Sequence, residues 1–280
     1  MGANSAARRL VKRVLYPVLN DSTYRYMQAV SKAWDIRTGS WTEPELDLIP
    51  YAVEPGDTAF DIGANFGMWS YHLQRHLGGG RVYAFEPVPF THRTLRQVAR
   101  LLRFRNVEVI PKGCGDKTGE ITFTVPVQAS GAVAAGLAYR GGRNDDRAGR
   151  ETQVRWAATR DIKGEVVALD EFLPGVERLS LVKCDIEGAE LYAFRGAERT
   201  IDRHLPTIVC EINPWYMEGF GISFGELTDF FFGKGYEVYH YRNDEGRERL
   251  RPAEMSKVKE DNYTFIHPTR RERFAALIEA

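Results

Sequence analysis

From Asp57 onward the chain alternates short apolar runs with stretches of helical spacing, and this rhythm constrains the fold more than any other feature. Strands separated by helices read as βαβ units, which demand a largely parallel sheet flanked by helices. "DTAFDIG" is the first strand, opened by the turn residues Pro55 and Gly56; Phe66, Trp69, Leu73 and Leu77 then follow helical spacing until Gly78 to Gly80. "RVYAFEP" is the second strand, followed by a helix with Leu95, Val98 and Leu102 on one face, and "VEVIPKG" is the third. "LSLVKCD", "TIVCEIN", "GYEVYHY" and "DNYTFIH" are the remaining strands. A helix carrying Leu191, Phe194, Ala197 and Ile201 follows the fourth strand, and Ser223 with Glu226 makes a capping box for a later one.

Before the fourth strand the rhythm breaks. "GEITFTVP" alternates like an antiparallel strand, and residues 129–164, rich in Gly, Ala and Arg, read as an irregular insertion or flap over the sheet. Glycines such as Gly131, Gly136, Gly141 and Gly142 would allow it to hinge. Arg140, Arg143, Arg147, Arg150, Arg155 and Arg160 read either as solvated surface or as a site for an acidic or carrier-bound acceptor. The expected organisation is a helical extension and lead-in over 1–50 and one α/β domain over 51–280.

Lys plus Arg and Asp plus Glu number 38 each, so no global charge draws the chain to nucleic acid. Cys114, Cys184 and Cys210 form no CxxC or framework spacing and read as buried thiols of a reducing, cytoplasmic compartment. The opening "MGANSAARRLVKRVLYPVLN" is too interrupted by Lys12 and Arg13 for a signal peptide, and Ala6 breaks the myristoylation pattern. It is expected to be an amphipathic helix that packs on the domain or makes at most peripheral membrane contact.

In open α/β sheets, ligands bind outside the carboxyl ends of the strands, where Asp61, Glu86, Asp185 and Glu211 lie. The glycine-rich turn in "FDIGANFGMWS" carries Asp61, whose charge would repel a phosphate, and the G-x-G-x-x-G turn of NAD sites is absent. A cation suits it, and Gly63 and Gly67 are expected to let that ligand approach the backbone. Glu86 falls where a carboxylate meets a ribose diol. Asp116, in "GCGDKTG", reads as a partner for an adenine amino group or as a plain turn residue. A nucleoside with a positive centre fits this set, and S-adenosylmethionine is such a molecule.

The segments "FDIGANFGMWS", "AFEPVP", "GCGDKTGEI", "VVALDEF" and "VKCDIEGAELYAFRGA" resemble the motif series of the FkbM family of S-adenosylmethionine-dependent methyltransferases. The resemblance implies a class I methyltransferase (Rossmann-like) fold, a seven-stranded mostly parallel sheet with a reversed final hairpin. It also implies O-methylation of a hydroxyl on a sugar, glycan, polyketide or related metabolite. Asp61, Gly63, Asn65 and Gly67 would then surround the methionine part, Glu86 the ribose and Asp116 the adenine. "GSWTEPEL", with Trp41 and Glu43, resembles the family's lead-in and is expected to fold over the cofactor.

Methyl transfer to oxygen requires an aligned lone pair and removal of a proton from a weak acid. Asp185 and Glu187 after the fourth strand and Glu211 and Asn213 after the fifth are expected to converge on the acceptor. Asp185, Glu211 and His240 are candidate bases, and Asp185, Glu211 and Asn213 could hold Mg²⁺. The alternatives are that Asp185 contacts the cofactor amine, Glu187 caps the next helix and His240 is structural. "INPWY", residues 212–216, resembles the Asn-Pro-Pro-aromatic loop of amino-methyltransferases but follows the fifth strand, not the fourth, so N-methylation ranks second. A cofactor-binding module without catalysis ranks third.

Overall fold

The computed structural model describes residues 21–128, 139–140, 156–244, 246–254 and 259–279. Residues 1–20 and most of the arginine-rich segment lie outside the described residues, and with them the readings placed there. Helix α1, Asp21–Thr38, and a 3-10 turn, Pro44–Leu48, precede the sheet. Strands β1 (Thr58–Ile62), β2 (Arg81–Phe85) and β3 (Val107–Ile110) alternate with α2 (Met68–His76) and α3 (Pro89–Leu101). There follow β4 (Gly113–Cys114), β5 (Gly119–Gln128), β6 (Tyr139–Arg140), β7 (Trp156–Val167) and β8 (Leu179–Cys184). After α4 (Glu190–Arg195) and α5 (Glu198–His204) come β9 (Thr207–Ile212), α6 (Pro214–Gly219) and α7 (Phe224–Phe232). The remaining strands are β10 (Glu237–Asp244), β11 (Arg247–Pro252) and β12 (Asp261–Ile266).

The main sheet runs β11-β10-β12-β9-β8-β1-β2-β3. β3, β2, β1, β8 and β9 are parallel, and β12 enters antiparallel between β9 and β10. This is a class I, Rossmann-like arrangement, but the expected seven strands are eight. The additional strand, β11, is an antiparallel edge whose only buried side chain is Leu250. Its charged residues suit an edge, where they discourage further pairing. β8, "LSLVKC", is buried at every position, as a strand covered on both faces must be.

The insertion is also more regular than expected. β5 pairs antiparallel with β7 from Gly119↔Val166 to Gln128↔Trp156, so residues 156–164 belong to a second, four-stranded sheet, not to an irregular flap.

Two hydrophobic layers sandwich the main sheet. Ile62, Phe85, Cys184, Cys210, Tyr263 and Phe265 face Phe194 of α4 and Phe231 of α7. Ala59, Leu181, Val209, Tyr239 and Tyr241 face Trp69 and Leu73 of α2 and the lead-in residues Leu46 and Leu48. α1 packs along α3, which the chain reaches only after two strands. The capping box at Ser223 forms as read: its Oγ accepts from Glu226 N, whose side chain accepts in return.

Candidate functional site

β1 lies where the sheet order reverses: the chain moves from it to β2 and β3 on one side and returns to β8 on the other. A crevice opens at the carboxyl ends of strands at such a point. Across it the chain is closely tied. Asp185 N donates to Ile62 O at 3.0 Å, and Gly63 N and Ala64 N donate to Phe85 O at 3.0 and 2.9 Å.

Gly63 has φ +81°, and a Cβ there would lie 1.9 Å from the carbonyl oxygen of Asp185. Gly67 has φ +85°, and its Cβ would meet Leu95 Cδ1 at 2.5 Å. At both positions a side chain would meet neighbouring protein. Gly63 closes the seam between β1 and β8, and Gly67 seats the turn against α3.

Asp61 is buried and accepts from Ser70 Oγ at 2.5 Å. Burial pushes its pKa up to about 6, against the lowering effects of Ser70 and Lys183. Glu86 accepts from Asn65 N at 3.0 Å and Val88 N at 2.9 Å, yet burial still pushes it up to about 8. Neither charge is balanced by the protein alone, so both sites favour a ligand that brings positive charge or hydroxyl donors. Asn65 sits at φ +48°, and its buried Oδ1 finds no partner among the described residues. Buried acceptors of this kind fit the amine, sulfonium and ribose of S-adenosylmethionine. Asp116 is exposed in the turn between β4 and β5.

The lead-in closes over this end of the sheet. Trp41 meets Phe66 of the glycine turn edge-on, with ring centroids 6.2 Å apart, and Glu43 Oε2 accepts from Trp69 Nε1 at 2.8 Å. Glu43 also lies 3.7 Å from the ammonium of Lys183, a residue that sequence reasoning missed. Lys183 donates to Asn262 Oδ1 at 2.9 Å, and Asn262 Nδ2 donates to Glu45 at 3.2 Å. Burial opposes the charge of Lys183, but Asp185, Glu43 and Glu211 outweigh it and hold the ammonium above its ordinary range. The signal for it was the one charged residue in a buried strand, which requires counter-charges.

Register decides which candidates meet. Asp61, Lys183, Val209, Thr264 and Tyr239 form one row across five strands, and Ile62, Cys184, Cys210 and Tyr263 form the next. Alternation puts neighbouring rows on opposite faces, so Glu211, paired with Asn262, shares the face of Lys183. Asp185 and Glu211 are neighbours on this face, and burial together with Asp185 pushes Glu211 well up. His240 belongs to the Tyr263 row, its ring 4.4 Å from that of Tyr263. It therefore lies on the other face, and the expectation that it joins Asp185 and Glu211 as a base is corrected. Burial and Arg242 lower its pKa.

Two further expectations change. Glu187 does not cap the next helix. Glu190 does the local bonding, accepting from Ile186 N at 3.1 Å and Gly188 N at 3.0 Å, while Glu187 sits at φ +55°. Asn213 directs Oδ1 to Trp215 N and Tyr216 N at 3.1 and 3.3 Å, so that oxygen caps α6 and is not aimed at a metal beside Asp185 and Glu211. Among the described residues no group of three or more His, Cys, Asp or Glu is arranged to hold a metal ion. All three cysteines are free and buried.

The model of the methyltransferase FkbM domain matches residues 61–238. The chain belongs to the FkbM methyltransferase family. The 31-O-demethyl-FK506 methyltransferase FkbM of Streptomyces tacrolimicus is 25% identical over 201 residues, covering 66% of this chain and 75% of that protein. Methyltransferase 1 of Beauveria bassiana is 26% identical over 160 residues, covering 54% of this FkbM-family chain and 62% of its relative. Methyltransferase sdnD of Sordaria araneosa is 27% identical over 157 residues, covering 49% and 59%. The chain thus spans about three fifths of the length of these last two relatives. The solved structure of a methyltransferase FkbM from Methylobacillus flagellatus aligns with TM-score 0.46 and 17% identity, covering 92% of this chain and 59% of that one.

Proposed function

We propose that this FkbM-family chain transfers the methyl group of S-adenosylmethionine to a hydroxyl oxygen of a small-molecule or glycan acceptor. The observation that carries the reading is the Asp185–Glu211 pair beside Lys183, on the face that the lead-in covers. S-adenosylmethionine supplies an electrophilic methyl group on a sulfonium. Asp61 and Glu86 orient it from the ends of β1 and β2. Burial pushes Glu211 towards its protonated form, and Asp185 beside it would take the hydroxyl proton as the methyl carbon passes from sulfur to oxygen and leaves a neutral thioether. Lys183 steadies the charge of Asp185. Trp41, Trp69 and Glu43 shield this end of the sheet from water.

O-methylation is favoured over N-methylation because Asn213, the first polar residue of the amine-gripping resemblance, spends its oxygen on a helix cap. The name of the Streptomyces relative likewise specifies an oxygen. Asp185→Asn or Glu211→Gln should suppress turnover of a hydroxyl acceptor at least about 100-fold while changing the dissociation constant of S-adenosylmethionine little. Equal losses in both would move Asp185 to the cofactor amine. Labelled methyl found only on amines would refute the reading.

A further inference from the structure

Helix α1 presents two apolar arcs. Ala29, Ala33 and Ile36 are buried, and Lys32 lies 4.1 Å over the Trp41 ring and 5.1 Å over that of Phe66, so this side of the helix abuts the glycine turn. Tyr26, Met27, Val30 and Trp34 occupy the adjoining arc and are 52, 41, 44 and 64% exposed. Seven large hydrophobic side chains are exposed among the described residues, and these are four of them, so the stripe is a concentrated feature and not background.

Charge separates the possible occupants. The whole chain is neutral, but residues 1–38 contain seven basic side chains (Arg8, Arg9, Lys12, Arg13, Arg25, Lys32 and Arg37) against Asp21 and Asp35. Asp35 is buried. A second copy of the chain docking stripe to stripe would set this basic segment against itself, which like charges oppose. An anionic lipid surface reverses the sign of that interaction. Trp and Tyr also suit the boundary between headgroups and acyl chains, where an apolar ring body and a polar tip are both satisfied.

We propose that α1 lies on an anionic lipid surface through Tyr26, Met27, Val30 and Trp34, the net basic charge of residues 1–38 favouring anionic headgroups. The interaction is interfacial, since no helix among the described residues is long and apolar enough to cross a membrane. It does not depend on which acceptor is methylated. Because α1 leads directly into Trp41 and Glu43, a docked molecule holds its glycine turn close to the bilayer.

The test is sedimentation of the full chain with vesicles of phosphatidylcholine alone and of phosphatidylcholine mixed with phosphatidylglycerol. Binding is expected to the mixed vesicles, with each basic side chain near the surface contributing about fivefold and added salt reversing it. The double substitution Val30→Glu and Trp34→Glu, at exposed positions, should lower partitioning at least about tenfold with an unchanged melting temperature. Arg8→Glu with Arg9→Glu should weaken binding without touching the stripe. Equal partitioning of wild type and the Val30/Trp34 variant, or equal binding to neutral and anionic vesicles, would overturn the proposal. A wild-type dimer that the same double substitution makes monomeric would assign the stripe to self-association and overturn it as well.

Discussion

Replacing Lys183 by Met removes one charge from the candidate site while keeping most of the side-chain volume. The Lys183 side chain is 3% exposed, and its ammonium lies 3.7 Å from Glu43. At that distance an effective dielectric constant of 20 gives a gross attraction of about 4.5 kcal/mol. Burial of the ammonium offsets part of this in the native protein. The variant recovers that desolvation but leaves Glu43, Asp185 and Glu211 facing one another without a cation. Breaking a buried pair from one side costs about 3–5 kcal/mol. Glu43 is 27% exposed and keeps its bond to Trp69, so the lower end applies, a loss of about 3 kcal/mol. That is a sizeable part of a typical stability of about 5–15 kcal/mol.

The loss should depend on pH with a definite sign. Lys183 lowers the pKa values of Asp61, Glu45 and Glu211, so its removal raises them further. A carboxyl whose folded pKa is raised stabilises the fold while protonated and loses that contribution as pH rises through the folded value. The deficit of Lys183→Met is therefore smallest near the ordinary carboxyl range and grows towards neutral pH and above. Lys183→Arg retains the charge and should recover most of the stability and flatten the pH dependence. Denaturant unfolding at acidic and mildly alkaline pH reads both quantities. A deficit below about 1 kcal/mol, or one equal at both pH values, would refute the assignment of Lys183 as counter-ion to the carboxylates.

Gly63→Ala should destabilise by about 3 kcal/mol, combining the cost of a positive φ with displacement of the Asp185 carbonyl; a melting temperature within error of wild type would show that the seam yields freely. Affinity for S-adenosylmethionine should rise between pH 5 and 8 as Glu86 and Asp61, held up to about 8 and about 6, ionise, and binding should release protons in calorimetry. A pH-independent affinity would detach these carboxylates from the cationic ligand. His240→Gln should leave turnover within about twofold, because His240 lies behind the sheet from Asp185 and Glu211, and a large loss would return it to the reacting atoms.

The parts of the fold that could be read in advance were those encoded by local periodicity. β1, β2, β3, β8 and β9 each combine an apolar run with a flanking turn or helix signal, and their order follows from βαβ connectivity. β11 could not be read this way. "RERLRP" buries only Leu250, and its pairing comes from backbone groups of β10 that carry no mark in the side-chain pattern. The strand nature of residues 156–164 was hidden for a related reason, since the register with β5 follows from partners 28 to 43 residues upstream, from Gln128↔Trp156 to Ile121↔Gly164.

The same division runs through the site. The strand-end positions of Asp61, Glu86, Asp185 and Glu211 were legible because a strand end is a local feature and the switch point follows from topology. The sides they face were not. His240 stands one row from Glu211 only because β12 inserts between β9 and β10 out of chain order, and one residue of register separates the two faces. Lys183 illustrates the opposite case, a local signal whose meaning is non-local: a lysine in a strand buried on both faces needs anionic neighbours, but Glu43 and Asn262 come from opposite ends of the chain. With Asp61, Glu86 and Glu211 all pushed upward by burial and Lys183 engaged with several carboxylates at once, this end of the sheet is short of positive charge. A sulfonium and an ammonium would supply what one lysine cannot, so the electrostatic deficit of the protein itself supports a ligand with two cationic centres.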